Sequence, residues 1–163
     1  MEKVIIIGCP GSGKNTFGRK LKSITGLPLY HLDMLYWNKD RTTVSKEVFA
    51  ERLLKAMHNS KWIIDGNYGG SMEMRLKECD TVFFLDYPTE LCLESVERRK
   101  GKYRSDMPWI ENENPDEDFI AFINSYNLEN RPKVIKLLEK YFSKNIIVFH
   151  SREESEKYLQ VLK

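Results

Sequence analysis

A glycine-rich segment near the start of the chain has the residue types and spacing of a phosphate-binding loop. Four β-branched apolar residues at 4–7 are followed by Gly8-Cys-Pro-Gly-Ser-Gly-Lys-Asn-Thr16. Backbone N–H groups in such a loop bind phosphate oxygens, and its glycines allow close approach and positive φ. The motif G-x-x-x-x-G-K-[ST] is matched except at position 15. We therefore predict a nucleotide-binding site formed by Gly8, Pro10, Gly11, Ser12, Gly13, Lys14, Asn15 and Thr16.

The last positions of this motif, 14 and 15, usually supply a positive charge and a ligand for Mg²⁺. Lys14 is expected to reach the β- and γ-phosphates and to act in catalysis. The Ser or Thr usual at position 15 gives a hydroxyl to Mg²⁺, whereas an Asn15 amide oxygen lies one atom further out. This predicts weaker or misplaced metal, with the alternative that water completes the metal shell. Thr16 points about 100° away on a helix, which favours the α-phosphate instead.

Three carboxylates each end an apolar run that predicts a strand. Asp33 ends His-Leu-Asp, Asp65 ends Trp-Ile-Ile-Asp, and Asp86 ends Phe-Phe-Leu-Asp. Ligands of parallel sheets lie outside the carboxyl ends of the strands. Asp33 is therefore a candidate to orient or deprotonate an acceptor hydroxyl, and Asp65 to bind the acceptor and to hold Mg²⁺ through water. Asp86, before Tyr-Pro, is also typical of a turn.

Arginines are the second requirement for phosphoryl transfer, because positive charge must surround the transferring group. Arg98, Arg104 and Arg131 lie in one region, and we take Arg98 and Arg131 as catalytic candidates. Arg75, after Asp65-Gly-Asn-Tyr, is a candidate for binding an acceptor's anion. The alternative for each of these arginines is a solvated position near a helix end.

The elements that must position these groups alternate between strand and helix patterns. Near-continuous apolar runs indicate strands covered on both faces, and helical patterns separate them. The predicted strands are 3–8, 28–33, 61–66, 81–86 and 145–150. Such alternation predicts right-handed βαβ units and an α/β fold with a parallel sheet.

The region from about 98 to 131 contains no strand pattern. A basic run there is followed by the acidic residues Glu111, Glu113, Asp116, Glu117 and Asp118. Apolar spacing after residue 118 predicts one helix, and Pro132 starts or kinks another. We predict a helical, lid-like insertion between the last two strands of a single domain spanning 1–163.

Composition narrows the class of protein. The 163 residues fit one domain, and a formal net charge of +2 is lower than a dedicated duplex binder usually carries. Three widely spaced cysteines predict neither a disulfide framework nor a metal knuckle. With no secretory or membrane-spanning pattern, we expect a cytoplasmic protein without a membrane partner, either a monomer or a small homo-oligomer.

Several blocks resemble one family across most of the chain. The loop at 8–16, Leu27-Pro-Leu-Tyr-His-Leu-Asp33, Lys61-Trp-Ile-Ile-Asp-Gly-Asn-Tyr68 and Phe84-Leu-Asp-Tyr-Pro88 resemble the bacterial DNA topology modulation proteins (FlaR-related). That family is similar to adenylate kinase within the P-loop nucleotide kinases. The resemblance implies a three-layer P-loop NTPase fold with strand order 2-3-1-4-5, ATP and Mg²⁺ at the loop, and an arginine-bearing lid.

Two departures from these families concern the site. Family members typically carry Ser at position 15, and adenylate kinases carry Asp-Gly-Phe-Pro-Arg where this chain has Asp65-Gly-Asn-Tyr-Gly69. The arginine that would bind an acceptor nucleotide is thus displaced, and Arg75 is its candidate replacement. The favoured function is ATP-dependent phosphoryl transfer to a small nucleoside or nucleotide-like acceptor. The alternative is a nucleotide-binding regulator without efficient turnover, with DNA as a possible partner through residues 98–104.

Overall fold

The structure, a computed structural model, describes residues 1–109 and 117–163. Five parallel strands form one sheet in the order β2-β3-β1-β4-β5, which confirms the predicted order. The strands are β1 (Lys3–Gly8), β2 (Leu29–His31), β3 (Trp62–Asp65), β4 (Thr81–Leu85) and β5 (Asn145–Phe149).

Helices connect the strands and cover both faces of the sheet. They are α1 (Lys14–Thr25), α2 (Leu32–Tyr36), α3 (Lys46–Met57), α4 (Gly69–Glu78), α5 (Thr89–Arg98), α6 (Glu117–Glu129), α7 (Arg131–Lys140) and α8 (Arg152–Leu162). Successive residues of β1 show why its sequence is apolar throughout. Val4 and Ile6 belong to one buried cluster, whereas Ile5 and Ile7 belong to the cluster on the opposite face. The sheet, with helices packed over a buried cluster on each of its two faces, gives the three layers of the fold.

The prediction that Asp33 ends a strand is wrong. β2 stops at His31, and Asp33 lies in the first turn of the short helix α2. A carboxylate is favourable in that turn because the N-terminal end of a helix carries partial positive charge. The chain therefore turns into a helix two residues earlier than the apolar run suggests.

The predicted helices of the insertion are present and belong to the body of the fold. Ile123 and Tyr126 of α6 are almost fully buried in the core, and α6 packs against both α5 and α7. Residues 99–109, which follow α5, form turns and irregular structure. The acidic residues Glu111, Glu113 and Asp116 lie outside the described residues. A lid role for the insertion stays a prediction. Residues 99–109 are the described part of the insertion that lies beside the sheet edge.

Arg131 at the start of α7 pairs with Asp86 beyond the end of β4. Its Nε donates to Asp86 Oδ1 at 2.8 Å and its Nη2 donates to Asp86 Oδ2 at 2.7 Å. The Asp86 side chain is only 8% exposed, so the two-pronged ion pair supplies hydrogen bonds that burial would otherwise remove. Hydrogen bonding to Asp86 also raises the pKa of Arg131. The contact anchors α7 to the sheet.

We expect Arg131→Met to lower the free energy of unfolding by about 2 kcal/mol, because it leaves a buried carboxylate without its donors. Urea denaturation measures this, with Lys133→Met on the exposed side of the same helix as the matched control. Adding Asp86→Asn to Arg131→Met should restore part of the loss. A variant that unfolds like the parent but loses turnover would instead support the catalytic role predicted for Arg131.

Candidate active site

The carboxyl-terminal edge of the sheet opens into a cavity of about 1480 Å³. The predicted nucleotide residues from Pro10 to Thr16 line it, together with Asp33 and Asp65. Gly8 lies at the end of β1, beneath the loop. The structure thus brings the phosphate loop and two predicted acidic residues to one place, as the topology of parallel sheets requires.

The loop geometry depends on two glycines for different reasons. Gly11 has φ +84°, and a Cβ there would lie 2.3 Å from the Cys92 carbonyl oxygen, so α5 packs directly on the loop. Gly13 has φ +92° at the N-terminus of α1, and a Cβ there would meet nothing within 4 Å. Gly13 therefore leaves a hollow where the amide groups of the helix start are accessible. The Ser12 hydroxyl nearby is buried, and residues 1–109 and 117–163 offer it no hydrogen-bond partner.

Lys14 lies beside this hollow. Its Nζ donates to the carbonyl oxygens of Gly8 at 2.9 Å and Cys9 at 3.2 Å. Burial lowers the pKa of Lys14, while the charges of Asp65 and Asp33 oppose that shift. An ammonium held among carbonyls and carboxylates is poised for exchange onto a more strongly charged phosphate.

The loop after β3 is tied to the start of the phosphate loop. Asn67 Nδ2 donates to the Gly8 carbonyl oxygen at 2.7 Å, and Asn67 Oδ1 accepts from the Gly8 N–H at 3.1 Å. One side-chain amide therefore satisfies both backbone groups of Gly8. This contact fixes the distance between the phosphate loop and the acidic loop.

Arg75 supports the same loop from behind. It is fully buried, and its guanidinium donates to the carbonyl oxygens of Gly66 at 3.0 Å and of Asn67 and Tyr68. Burial lowers the pKa of Arg75 to about 10. It does not line the cavity, in contrast to its predicted role with an acceptor anion. The physical reason is that Tyr68, at φ +38°, ends a tight turn whose buried carbonyls need donors.

Asp33 and Asp65 have different partners. Asp33 Oδ1 accepts from the Tyr68 hydroxyl, whereas Asp65 Oδ2 lies 2.6 Å from His31 Nδ1. Burial raises the pKa of Asp33, with smaller contributions from the charges of Asp65 and Asp106 and an opposing one from Tyr68. A half-buried carboxylate with a raised pKa is a stronger proton acceptor than a solvated one.

Asp106 completes the acidic side of the cavity, and sequence reasoning missed it. It is 5% exposed and accepts from Arg104 Nε at 2.9 Å and from Arg104 Nη2. Burial would raise the pKa of Asp106, but Arg104 and a hydrogen bond from the Asn15 amide hold it below the usual value. Residues 99–109 lack any helix or strand periodicity, so no sequence pattern indicated that this carboxylate is buried. Among the described residues, the Asn15 Oδ1 atom is buried without a hydrogen-bond partner.

The two arginines predicted to be catalytic lie in different places relative to the cavity. Arg98, at the end of α5, lines the cavity and its Nη2 lies 3.9 Å from Glu94 Oε2, whereas Arg131 does not line it. Lys100 Nζ lies 2.6 Å from Glu97 Oε1. Because acidic neighbours on α5 accompany these cations, the basic run has less net positive charge than its sequence indicates. DNA binding through residues 98–104 stays a prediction.

The described residues contain no group of three or more His, Cys, Asp or Glu that could hold a metal alone. Mg²⁺ does not need one, because it usually takes one or two carboxylates plus phosphate oxygens and water. The Asn15 side-chain oxygen has no hydrogen-bond partner among the described residues, and Asn15 and Asp65 line the same cavity, so they fit that limited donor set. They are the residues that could hold the ion.

Solved structures of shikimate kinases share this fold. Shikimate kinase from Acinetobacter baumannii, in complex with shikimate, matches with a TM-score of 0.62 and 19% identity over 99% of this chain and 93% of that one. Shikimate kinase from Bacteroides thetaiotaomicron matches with a TM-score of 0.57 and 17% identity over 98% and 94%. The likeness establishes a P-loop kinase fold. No protein-family model and no curated protein sequence matches the chain.

Among the described residues, no helix is both long enough and apolar enough to cross a membrane.

The His31–Asp65 pair generates a prediction about pH. Burial alone would lower the pKa of His31, but the hydrogen bond and charge of Asp65 raise it. A raised pKa means that the ionic part of the pair stabilises the fold below the ordinary His pKa of about 6.5 and is lost as pH rises through the raised value.

We expect His31→Gln to destabilise the protein more at pH 6 than at pH 9, with a difference of about 1 kcal/mol between a charged and a neutral hydrogen bond. Urea denaturation at both values measures this, and His58→Gln at an exposed position is the matched control. A cost of His31→Gln that does not vary with pH would show that the pair is not ionic.

Proposed function

We propose that the protein transfers the γ-phosphoryl group of ATP to a hydroxyl of a small acceptor. The observation that carries this proposal is the shared cavity in which Asp33 faces the phosphate loop and interacts with Lys14 through charge. A base and a phosphate cradle on one wall are what hydroxyl phosphorylation requires. The shikimate kinase likeness supports the fold alone, so shikimate is not inferred as the acceptor.

The phosphate loop supplies the binding. Backbone amides around Gly13 and the start of α1 face the hollow, and we infer that they hold the β-phosphate. Lys14 leaves the carbonyl oxygens of Gly8 and Cys9 to contact the β- and γ-phosphates. Arg98, which lines the cavity, is the described candidate from the end of α5 for charge on the transferring group.

Asp33 supplies the acid–base chemistry. As the acceptor oxygen attacks the γ-phosphorus, Asp33 takes the hydroxyl proton, the new O–P bond forms, and the bond to the β–γ bridging oxygen breaks with ADP as leaving group. Tyr68 holds Asp33 in position through its hydroxyl. When bound, Mg²⁺ neutralises charge on the β- and γ-phosphates, and Asn15 and Asp65 are the residues proposed to hold it.

The resemblance to DNA topology modulation proteins supports the same proposal through its kinase-like motifs. The alternative, a nucleotide-dependent regulator without useful turnover, is motivated by Asn15, and a direct action on DNA is not supported by the paired basic run. A screen for acceptor-stimulated ADP release separates the two. Stimulation by any nucleoside, nucleotide or polyol supports transfer, and its absence with tight ATP binding supports the regulator.

We expect Asp33→Asn to lower the turnover number roughly 10²- to 10⁴-fold while ATP affinity stays unchanged, because only the proton acceptor is lost. Tyr68→Phe is the matched comparison. Removing its hydrogen bond, which lowers the pKa of Asp33, should shift the acidic limb of the pH–rate profile to higher pH. A Tyr68→Phe profile that coincides with the parent's would contradict the assignment of Asp33 as base.

Position 15 can be tested by binding alone. We expect Asn15→Ala to weaken ATP binding in Mg²⁺ roughly tenfold, because the metal loses an oxygen ligand, whereas Asn15→Ser should bind at least as well as the parent. Both variants lose the contact with Asp106, so their comparison isolates the oxygen. Calorimetry with excess EDTA is the control, where all three proteins should bind alike. Equal affinities of the three proteins in Mg²⁺ would remove position 15 from the metal site.

A further inference from the structure

The acidic side of the cavity surrounds the place where an acceptor would be phosphorylated. Asp33, Asp65 and Asp106 all line it, and the charges of the latter two act on Asp33. They come from α2, β3 and the segment after α5, so three separate parts of the chain place carboxylates on one wall. This arrangement sets the charge that an acceptor can carry.

Three cations near this wall are engaged by protein groups. His31 Nδ1 lies 2.6 Å from Asp65, the Arg104 guanidinium is hydrogen-bonded to Asp106, and Arg75 donates to backbone carbonyls behind the wall. Asp33 is hydrogen-bonded to the neutral Tyr68 hydroxyl, and the charge of Lys14 acts on it. The polyphosphate of ATP would neutralise Lys14, and an anionic acceptor would then meet the negative charge of Asp33.

Positive charge is concentrated on the other side of the phosphate loop. Arg98 at the end of α5, Lys100 two residues later and Arg152 at the start of α8 line the cavity there, and α5 and α8 follow β4 and β5 in the chain. Strand order separates them from the acidic wall, because β2 and β3 lie on the opposite side of β1. The polyphosphate of ATP suits the basic side, which leaves the acidic side for the acceptor.

Aromatic rings stand among the carboxylates. Trp37, Tyr68 and Trp109 all line the cavity, and the Trp37 and Trp109 ring centroids are 5.2 Å apart in an edge-to-face contact. Arg41 packs over the Trp109 ring at 5.9 Å, which places its charge against an aromatic face. Trp37 and Trp109 are half-buried, and aromatic rings that line a cavity can bind planar heterocycles by stacking. Carboxylates accept hydrogen bonds from sugar hydroxyls.

We propose that the acceptor is an uncharged nucleoside, with its base against Trp37 and Trp109 and a sugar hydroxyl at Asp33, and that its 5′-monophosphate is rejected by the charge of Asp33. This inference rests on the phosphoryl transfer proposed above. It differs from that proposal in naming the charge and shape of the acceptor.

Binding of the acceptor can be measured without turnover, with ADP occupying the phosphate loop. The full chain is titrated by calorimetry with each of the common ribonucleosides and with the 5′-monophosphate of each. At least one nucleoside should bind at least tenfold more tightly than its monophosphate. A monophosphate that binds as tightly as its nucleoside, or the absence of binding by every nucleoside, would overturn the proposal.

Two pairs of variants test the groups that are named. Asp33→Asn should strengthen monophosphate binding and reduce the tenfold discrimination to a few-fold, because the repelling charge is removed. Trp109→Ala should weaken nucleoside binding about tenfold, whereas Trp109→Phe should retain most of it. Discrimination unchanged in Asp33→Asn would overturn the electrostatic argument. ADP release is measured in parallel: nucleoside binding without ADP release would refute the proposed transfer and leave the acceptor class standing.

Discussion

The site depends on the pair of hydrogen bonds between the Asn67 side chain and the backbone of Gly8. Gly8 is the last residue of β1 and the first of the phosphate loop, so its N–H and C=O lie where the sheet ladder ends. Asn67 supplies a donor and an acceptor together, as a neighbouring strand would. Two residues before it, Asp65 ends β3, and the next residue, Tyr68, donates to Asp33. The positions of phosphate loop and base are thereby fixed relative to each other.

The pKa values of the buried charged groups in the site depend on one another. Lys14 is costly to bury, as the downward shift of its pKa indicates, and Asp65 and Asp33 reduce that cost. Burial raises the pKa of Asp33, and the charge of Asp65, which also stabilises Lys14, raises it further. A polyphosphate that attracts Lys14 toward itself would remove part of the positive field at Asp33. Nucleotide binding and the basicity of Asp33 are in this way physically linked.

Local sequence patterns were sufficient for the fold and insufficient for the partners of individual side chains. The β-branched run before Gly8 and the alternation of strands with helices predicted the sheet, because a strand that is buried on both faces has apolar residues at nearly every position. Arg75 was predicted to bind an acceptor anion and Arg131 to act in catalysis. A sequence does not reveal that carbonyl oxygens after β3 accept from Arg75, or that Asp86, 45 positions away, accepts from Arg131. Asp106 was missed because its burial depends on Arg104 and Asn15 rather than on any periodicity.

Asn15 illustrates how one departure from a motif can change two contacts. A serine hydroxyl at this position offers one short oxygen, whereas the amide has an oxygen and an NH₂ group on opposite sides. Asp106 accepts a hydrogen bond from the NH₂ group, and the oxygen is buried with no partner in the part of the chain that the structure describes. The first turn of α1 is thereby joined to the segment after α5, which also carries Arg104. Because the Asp106 carboxylate satisfies the nitrogen, the amide is held in one orientation and its oxygen is directed elsewhere. The same side chain thus connects the phosphate loop to residues 104–106 and leaves a single oxygen for a cation.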